Sequence, residues 1–187
     1  KGDAASRPIK LITNAFTTGL LSAALADGVN ILNAELLAKE RGLEISATGT
    51  SETGAFSTLI AATVETDDGS VHAAGTTFGQ EFLRLVRLNE FQFDAYLDGQ
   101  MLLYHHRDRP GLIGALGTAC GKHGVNISHM ALGRESRQPG GPAIAVFNLD
   151  NEPSAAALQE IASHSDVTGV QVVKLPVAGA PLPWFGL

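Results

Sequence analysis

From Met101 to Leu175 the spacing of apolar residues alternates between the two-residue period of a strand and the longer period of a helix, and this succession constrains the fold more than any other feature. Met101–His106 reads as a strand, Gly111–His123 as a helix, Val125–Arg134 and Ala143–Asp150 as strands, Ser154–Ser163 as a helix and Gly169–Leu175 as a strand. The order is βαββαβ, which predicts a split βαβ sheet. On the first helix Leu112, Ile113, Leu116 and Cys120 share one face, with the small Ala115 and Ala119 beside them. Gln138-Pro139-Gly140-Gly141-Pro142 supplies turn chemistry between two of the strands.

The residues before Asp98-Gly99, a natural domain boundary, have a different rhythm. Thr13 and Asn14 precede Phe16, Leu20, Leu21 and Leu25 at helical spacing, and Asp27-Gly28 breaks that pattern. A second amphipathic run starts at Asn30, passes through Ile31, Leu32, Leu36 and Leu37, and closes at Gly42. Leu43-Glu44-Ile45 and Phe56–Thr66 then read as strands. Thr66-Asp67-Asp68-Gly69-Ser70 is a hairpin turn leading into Val71–Phe78. Arg84–Leu88 and Phe91–Tyr96 predict another hairpin around Asn89-Glu90. The expected class is α+β, helices followed by a mostly antiparallel sheet and then the split βαβ unit, which is ferredoxin-like. Pro176 to Leu187 carries three prolines, and Trp184 and Phe185 either dock on a neighbour or fray.

Composition excludes several functions. Among 187 residues the formal charge is −6, which opposes nucleic acid and anionic membranes at long range. No apolar run approaches the ~18–20 residues that span a bilayer. A single cysteine, Cys120, cannot make an intrachain disulfide or a multi-cysteine metal site, and it suits a reducing, cytoplasmic location. The start at Lys1-Gly2-Asp3 has no signal-peptide pattern and reads as that of a fragment or processed piece. There is no G-x-G-x-x-G after a strand, no P-loop and no nucleophile elbow. No catalytic residue and no cofactor site is therefore expected in this chain. His105 and His106 are neighbours on a strand and point to opposite faces, so no metal site is expected from them with His123 and His129.

Three places carry candidate chemistry. Asp108-Arg109-Pro110-Gly111 sits where the first strand passes to the helix. Asp108 there is either a helix cap, worth ~1 kcal/mol, or the acceptor for an ammonium group beside backbone donors that suit a carboxylate. Asn126 opens the second strand and is either a turn residue or a ligand contact. That strand is an edge on which another subunit can dock, and its start is expected at the same end of the sheet as Asp108. Arg84 and Arg87, with Ser51-Glu52-Thr53-Gly54 and Gly75-Thr76-Thr77-Phe78-Gly79, either shape an anion pocket or serve as ordinary turn and sheet residues.

These stretches resemble a known family. His106-Arg107-Asp108-Arg109-Pro110-Gly111-Leu112-Ile113-Gly114, Gly124-Val125-Asn126-Ile127 and Met130-Ala131-Leu132-Gly133-Arg134 resemble the ACT domain of D-3-phosphoglycerate dehydrogenases. Thr17-Thr18-Gly19-Leu20-Leu21, Val29-Asn30-Ile31-Leu32-Asn33-Ala34, Ala38-Lys39-Glu40-Arg41-Gly42 and Gly75-Thr76-Thr77-Phe78-Gly79 are similar to the allosteric substrate-binding (intervening) domain of its long form. The resemblance implies an intervening domain over residues 1–98, lacking its first strand, and an ACT domain with a proline-rich tail over 99–187.

It further implies that a complete enzyme oxidises 3-phosphoglycerate with NAD to 3-phosphohydroxypyruvate, entering L-serine biosynthesis in the cytoplasm, with catalytic and NAD-binding domains upstream. The chain alone would be inactive. It would bind L-serine as a feedback effector between two ACT domains of a homo-oligomer. His106, Asp108 and Asn126 would make the side-chain contacts, and the backbone of Pro110, Gly111, Leu112, Ile113 and Gly114 would meet the carboxylate. Some relatives use basic residues in the first domain to hold a phosphate-bearing ligand; Arg84 matches one such position, whereas Gln92 and Tyr96 stand where the resemblance leads one to expect His and Arg. Alternatives are an assembly module that senses no ligand, or the regulatory part of another serine-pathway enzyme such as a serine dehydratase.

Overall fold

The computed structural model describes residues 1–25, 28–79 and 82–177. Lys1–Ile60 forms one compact unit and the described residues from Ala61 onward another.

The first unit contains helices α1 (Ile9–Ser22) and α2 (Ala34–Glu40). Helix α1 begins after Pro8, earlier than Thr13-Asn14 suggests. Thr13, Thr17 and Thr18 turn their hydroxyls back onto the carbonyls of Ile9, Thr13 and Asn14. Thr13 and Asn14 thus lie inside the helix and cap nothing. Helix α2 starts four residues after Asn30, because Asn30 and Asn33 close a turn first: Asn30 Oδ1 accepts from Asn33 N (3.1 Å) and Asn33 Oδ1 from Asn30 N (2.8 Å). Gly42, with φ 70°, ends it as a left-handed glycine should. Leu43-Glu44-Ile45 is not a strand, nor are residues 56–59, apart from a lone bridge between Gly2 and Thr58. Alternation without a neighbouring strand among the described residues leaves backbone groups nothing regular to pair with. The expected break at Asp27 and the Trp184-Phe185 tail lie outside the described residues.

The second unit holds two four-stranded sheets. β1 (Ile60–Thr66), β2 (Gly69–Phe78), β3 (Phe82–Leu88) and β4 (Phe91–Tyr96) form a meander in that order, with the turns at Asp67-Asp68 and Asn89-Glu90 that their residues predict. Asn89 adopts φ 50°, and its carbonyl accepts from Arg87 Nε at 2.8 Å. The second sheet contains β5 (Gln100–Arg107), β6 (Ile127–Arg134), β7 (Pro142–Leu149) and β8 (Val167–Lys174), ordered β6-β7-β5-β8. With α3 (Leu112–Lys122) and α4 (Ala155–Ala162) this is the ferredoxin-like βαββαβ unit. Ser154 caps α4 by accepting from Ala157 N at 3.2 Å.

Both faces of this second sheet are covered. Leu102, Tyr104, Ala145 and Phe147 meet Leu116, Ala119 and Cys120 of α3 and Ala157 and Ile161 of α4. On the reverse face Met101, Leu103, Ile144 and Val146 meet Ala95, Leu85, Leu88, Phe91 and Phe93 from the β3–β4 hairpin. Adjacent residues on β5 serve opposite layers, and each large side chain so buried is worth ~1.5–3 kcal/mol. This packing places the end of β5 and the start of α3 at a fixed corner.

Candidate functional site

Strand β5 carries His106 on the same face as Leu102 and Tyr104, its ring centroid 5.2 Å from that of Tyr104. The side chain is 4% exposed. Its Nδ1 lies 2.7 Å from Arg107 O, so in the neutral ring Nδ1 donates and Nε2 is the acceptor. Among the described residues Nε2 is buried without a hydrogen-bond partner. His105, on the opposite face, packs edge-on to Phe91, and burial together with the charge of His106 pushes its pKa down.

Beyond β5 the chain turns at Asp108, whose N–H donates to Gly141 O at 2.8 Å. Asp108 does not cap α3. Its Oδ2 lies 3.0 Å from Arg134 Nε as an ion pair and accepts from Gly140 N at 3.3 Å, and Oδ1 takes no bond among the described residues. Pro110 lies in the turn before the helix, and Gly111 is the N-cap, with φ 93° and no side chain to offer. Among the described residues the N–H groups of Leu112, Ile113 and Gly114 therefore have no intrahelical or side-chain acceptor. Leu112 is 1% exposed and anchors the turn, while Gly111 and Gly114 face solvent. One corner thus combines free helix donors, a carboxylate oxygen and an imidazole acceptor. Partial positive charge from the helix favours an anion at its start.

Asn126 is elsewhere. Arg107 pairs with Pro142 and Gln100 with Leu149, while Ile127 also pairs with Leu149 and Arg134 with Ala143. Strands β5 and β6 are therefore parallel, and Asn126 sits at the end opposite Asp108. This corrects the expectation that the two share one end of the sheet. Eight steps separate Asn126 from Arg134 beside Asp108, about 26 Å at ~3.3 Å per step. No small ligand bridges both within one chain. Asn126 is held by the turn after β7: its Nδ2 donates to Asp150 Oδ2, its N to Asn151 Oδ1 at 3.2 Å, and its carbonyl accepts from Asp150 N at 3.1 Å. The residue that does lie beside Asp108 is Arg134, which sequence reasoning passed over. The signal was available, because a split βαβ unit makes its first two strands parallel and sets the end of the second beside the end of the first.

Arg84 and Arg87 are each engaged locally. Arg84 is 8% exposed, stacks 3.5 Å from the centroid of Tyr96, and lies 3.0 Å from Asp94 Oδ1, though out of line for a hydrogen bond. Arg87 holds Asn89 O and lies 3.8 Å from Glu90. Ser51 and Thr53 line a cleft of about 320 Å³ in the first unit with Asp3, Ser6 and Ile9. The glycines and hydroxyls of Gly75–Gly79 belong to β2 and its turn in the second.

Residues 1–89 match the family model for the D-3-phosphoglycerate dehydrogenase intervening domain, and residues 100–166 match that for the ACT domain. The chain is such an intervening domain followed by an ACT domain. The pairing fits the C-terminal regulatory part of D-3-phosphoglycerate dehydrogenases. Relatives of that name include the Archaeoglobus fulgidus protein, 28% identical over 93% of this chain and 33% of its own length. Those from Bacillus subtilis and Mycobacterium tuberculosis are 30% and 31% identical, each over 94% of this chain and 33% of their own. The chain spans about a third of the length of the curated relatives it matches. No helix among the described residues is long and apolar enough to cross a membrane.

Proposed function

We propose that this chain is the sensing and assembly end of a D-3-phosphoglycerate dehydrogenase, and that its ACT domain binds L-serine as a feedback effector at an interface between two copies. The observation that carries the reading is the corner of uncapped α3 donors, Asp108 Oδ1 and His106 Nε2. A carboxylate suits the N–H groups of Leu112 to Gly114, and an ammonium suits Asp108. A hydroxyl donor suits the imidazole acceptor, whose burial unpaired costs about 1–3 kcal/mol.

Asn126 enters from the second copy. Strand β6 is an edge, and its outward Met130 and Leu132 are 42% and 51% exposed. Docking two copies edge to edge about a two-fold axis runs their β6 strands antiparallel. The start of one β6, with Asn126, then lies against the end of the other, beside Asp108. The separation that forbids a site within one chain is the one that suits a site between two.

In the whole protein this reading places the NAD-dependent oxidation of 3-phosphoglycerate on other domains. The strand ladders recorded in both sheets are antiparallel, and no glycine-rich βαβ turn is present among the described residues to hold a dinucleotide. Serine bound at the corner would act through differential affinity for two arrangements of the assembly.

Calorimetry tests the reading directly. L-Serine should bind the chain, and Asp108→Ala and Asn126→Ala should each weaken binding by about tenfold or more, in line with loss of a charge-assisted hydrogen bond. A folded dimer that takes up no serine overturns the sensing role and leaves assembly as the function.

A further inference from the structure

Two charged residues sit at opposite ends of the β6 edge. Arg134, the last residue of β6, is 53% exposed in its side chain and holds Asp108 Oδ2 at 3.0 Å. Asp150, exposed just past the end of β7, lies beside the first residues of β6 and binds Asn126 Nδ2. The edge is thus positive at one end and negative at the other. A two-fold axis through its middle, at Met130, makes it complementary to itself. Antiparallel pairing about an axis at Met130 sets Arg134 against Asn126 of the second copy, with Asp150 of that copy one strand further on, within an arginine's reach.

We infer that Arg134 exchanges partners when two copies meet, leaving Asp108 of its own chain for Asp150 of the second. This rests on the reading that the β6 edge is where ACT domains pair. The exchange occurs twice per dimer. It removes the competing cation from Asp108, whose two oxygens then face an ammonium ligand, and it draws Asp150 away from Asn126, whose amide is released toward the same corner. Assembly and effector binding are then linked through one ion-pair exchange. The exposed Met130 and Leu132 of both copies lie on one face and become mutually covered.

Charge reversal on the whole chain tests this. Arg134→Glu and Asp150→Lys should each be predominantly monomeric by sedimentation, because two like-charge contacts then face each other across the axis. A one-to-one mixture should recover a heterodimer with a dissociation constant within about threefold of wild type, since both contacts are again of opposite sign. Should either reversal unfold the chain, the milder Arg134→Ala and Asp150→Asn should each weaken the dimer about tenfold, and less at high salt. L-Serine should tighten the wild-type dimer.

A wild-type chain that stays monomeric overturns both this inference and the paired-ACT reading. A dimer indifferent to all four substitutions overturns the exchange alone. Selective heterodimer formation without any response to serine supports the exchange and removes the effector.

Discussion

His105 shows how one residue senses its layer. It sits on the β5 face covered by the β3–β4 hairpin, 6.0 Å from the Phe91 ring and against Gly169 of β8. Burial first, and the nearby charge of His106 second, depress its pKa. Its neutral form is the one the fold holds, so the unfolded chain binds more protons in the window below its ordinary value of 6.5. Stability should be complete above that value and fall as the pH drops through it. Melting followed by circular dichroism at pH 7.5 and 5.5 should show a lower Tm at the acid end, and His105→Leu should flatten the difference. An unchanged pH slope in that variant would remove His105 from the account. Asp108 teaches a related lesson about what a sequence can carry. Its position before Pro110-Gly111 looks like that of a cap, but the carboxylate is taken by Arg134 and Gly140, which are distant in sequence. Capping is local and readable, whereas competition for an oxygen depends on strand order.

At the scale of elements, strands with partners close in sequence were legible and solitary ones were not. The turns at Asp67-Asp68 and Asn89-Glu90 announce their hairpins because residue type fixes the backbone there. Leu43-Glu44-Ile45 alternates just as well but finds no partner strand. Asn126 was readable as lying at the start of an edge strand, just before β6, but its end of the sheet was not, since that requires the register of β6 on β7. Packing between layers is hidden further still. Gly133 of β6 lies so close to β4 that a Cβ there would stand 2.8 Å from Gln92 O and 3.0 Å from Phe93 Cδ1. Backbone cannot yield as a side-chain tip can, so Gly133→Ala should cost about 1–3 kcal/mol of stability. Urea denaturation should report that loss, and a stability equal to wild type would mean that β4 and β6 are not held at this distance. Gly114→Ala is the control, since nothing lies within 4 Å of a Cβ there.

For the molecule as a whole, the two family matches meet between residues 89 and 100, while the packing runs across that join. Asn148, in the central strand β7 and 5% exposed, donates through Nδ2 to Tyr96 O at 3.0 Å and to Asp98 O at 3.1 Å. Gly99 O accepts from Leu175 N at 2.8 Å, tying the same join to the end of β8. Above these bonds the β3–β4 hairpin covers Met101, Leu103, Ile144 and Val146, all at most 8% exposed. A chain cut at residue 99 keeps both helices and all of β5–β8, yet uncovers that apolar layer and leaves the Asn148 amide unbonded. Exposed patches of this kind bind hydrophobic dyes and associate. A fragment of residues 60–177 should therefore unfold cooperatively with low dye fluorescence. One of residues 99–177 should bind the dye strongly, aggregate, or melt at a markedly lower temperature. Equal melting of the two fragments would show that the hairpin adds nothing to the ACT sheet, and that the join between the families is also a join in the folded core.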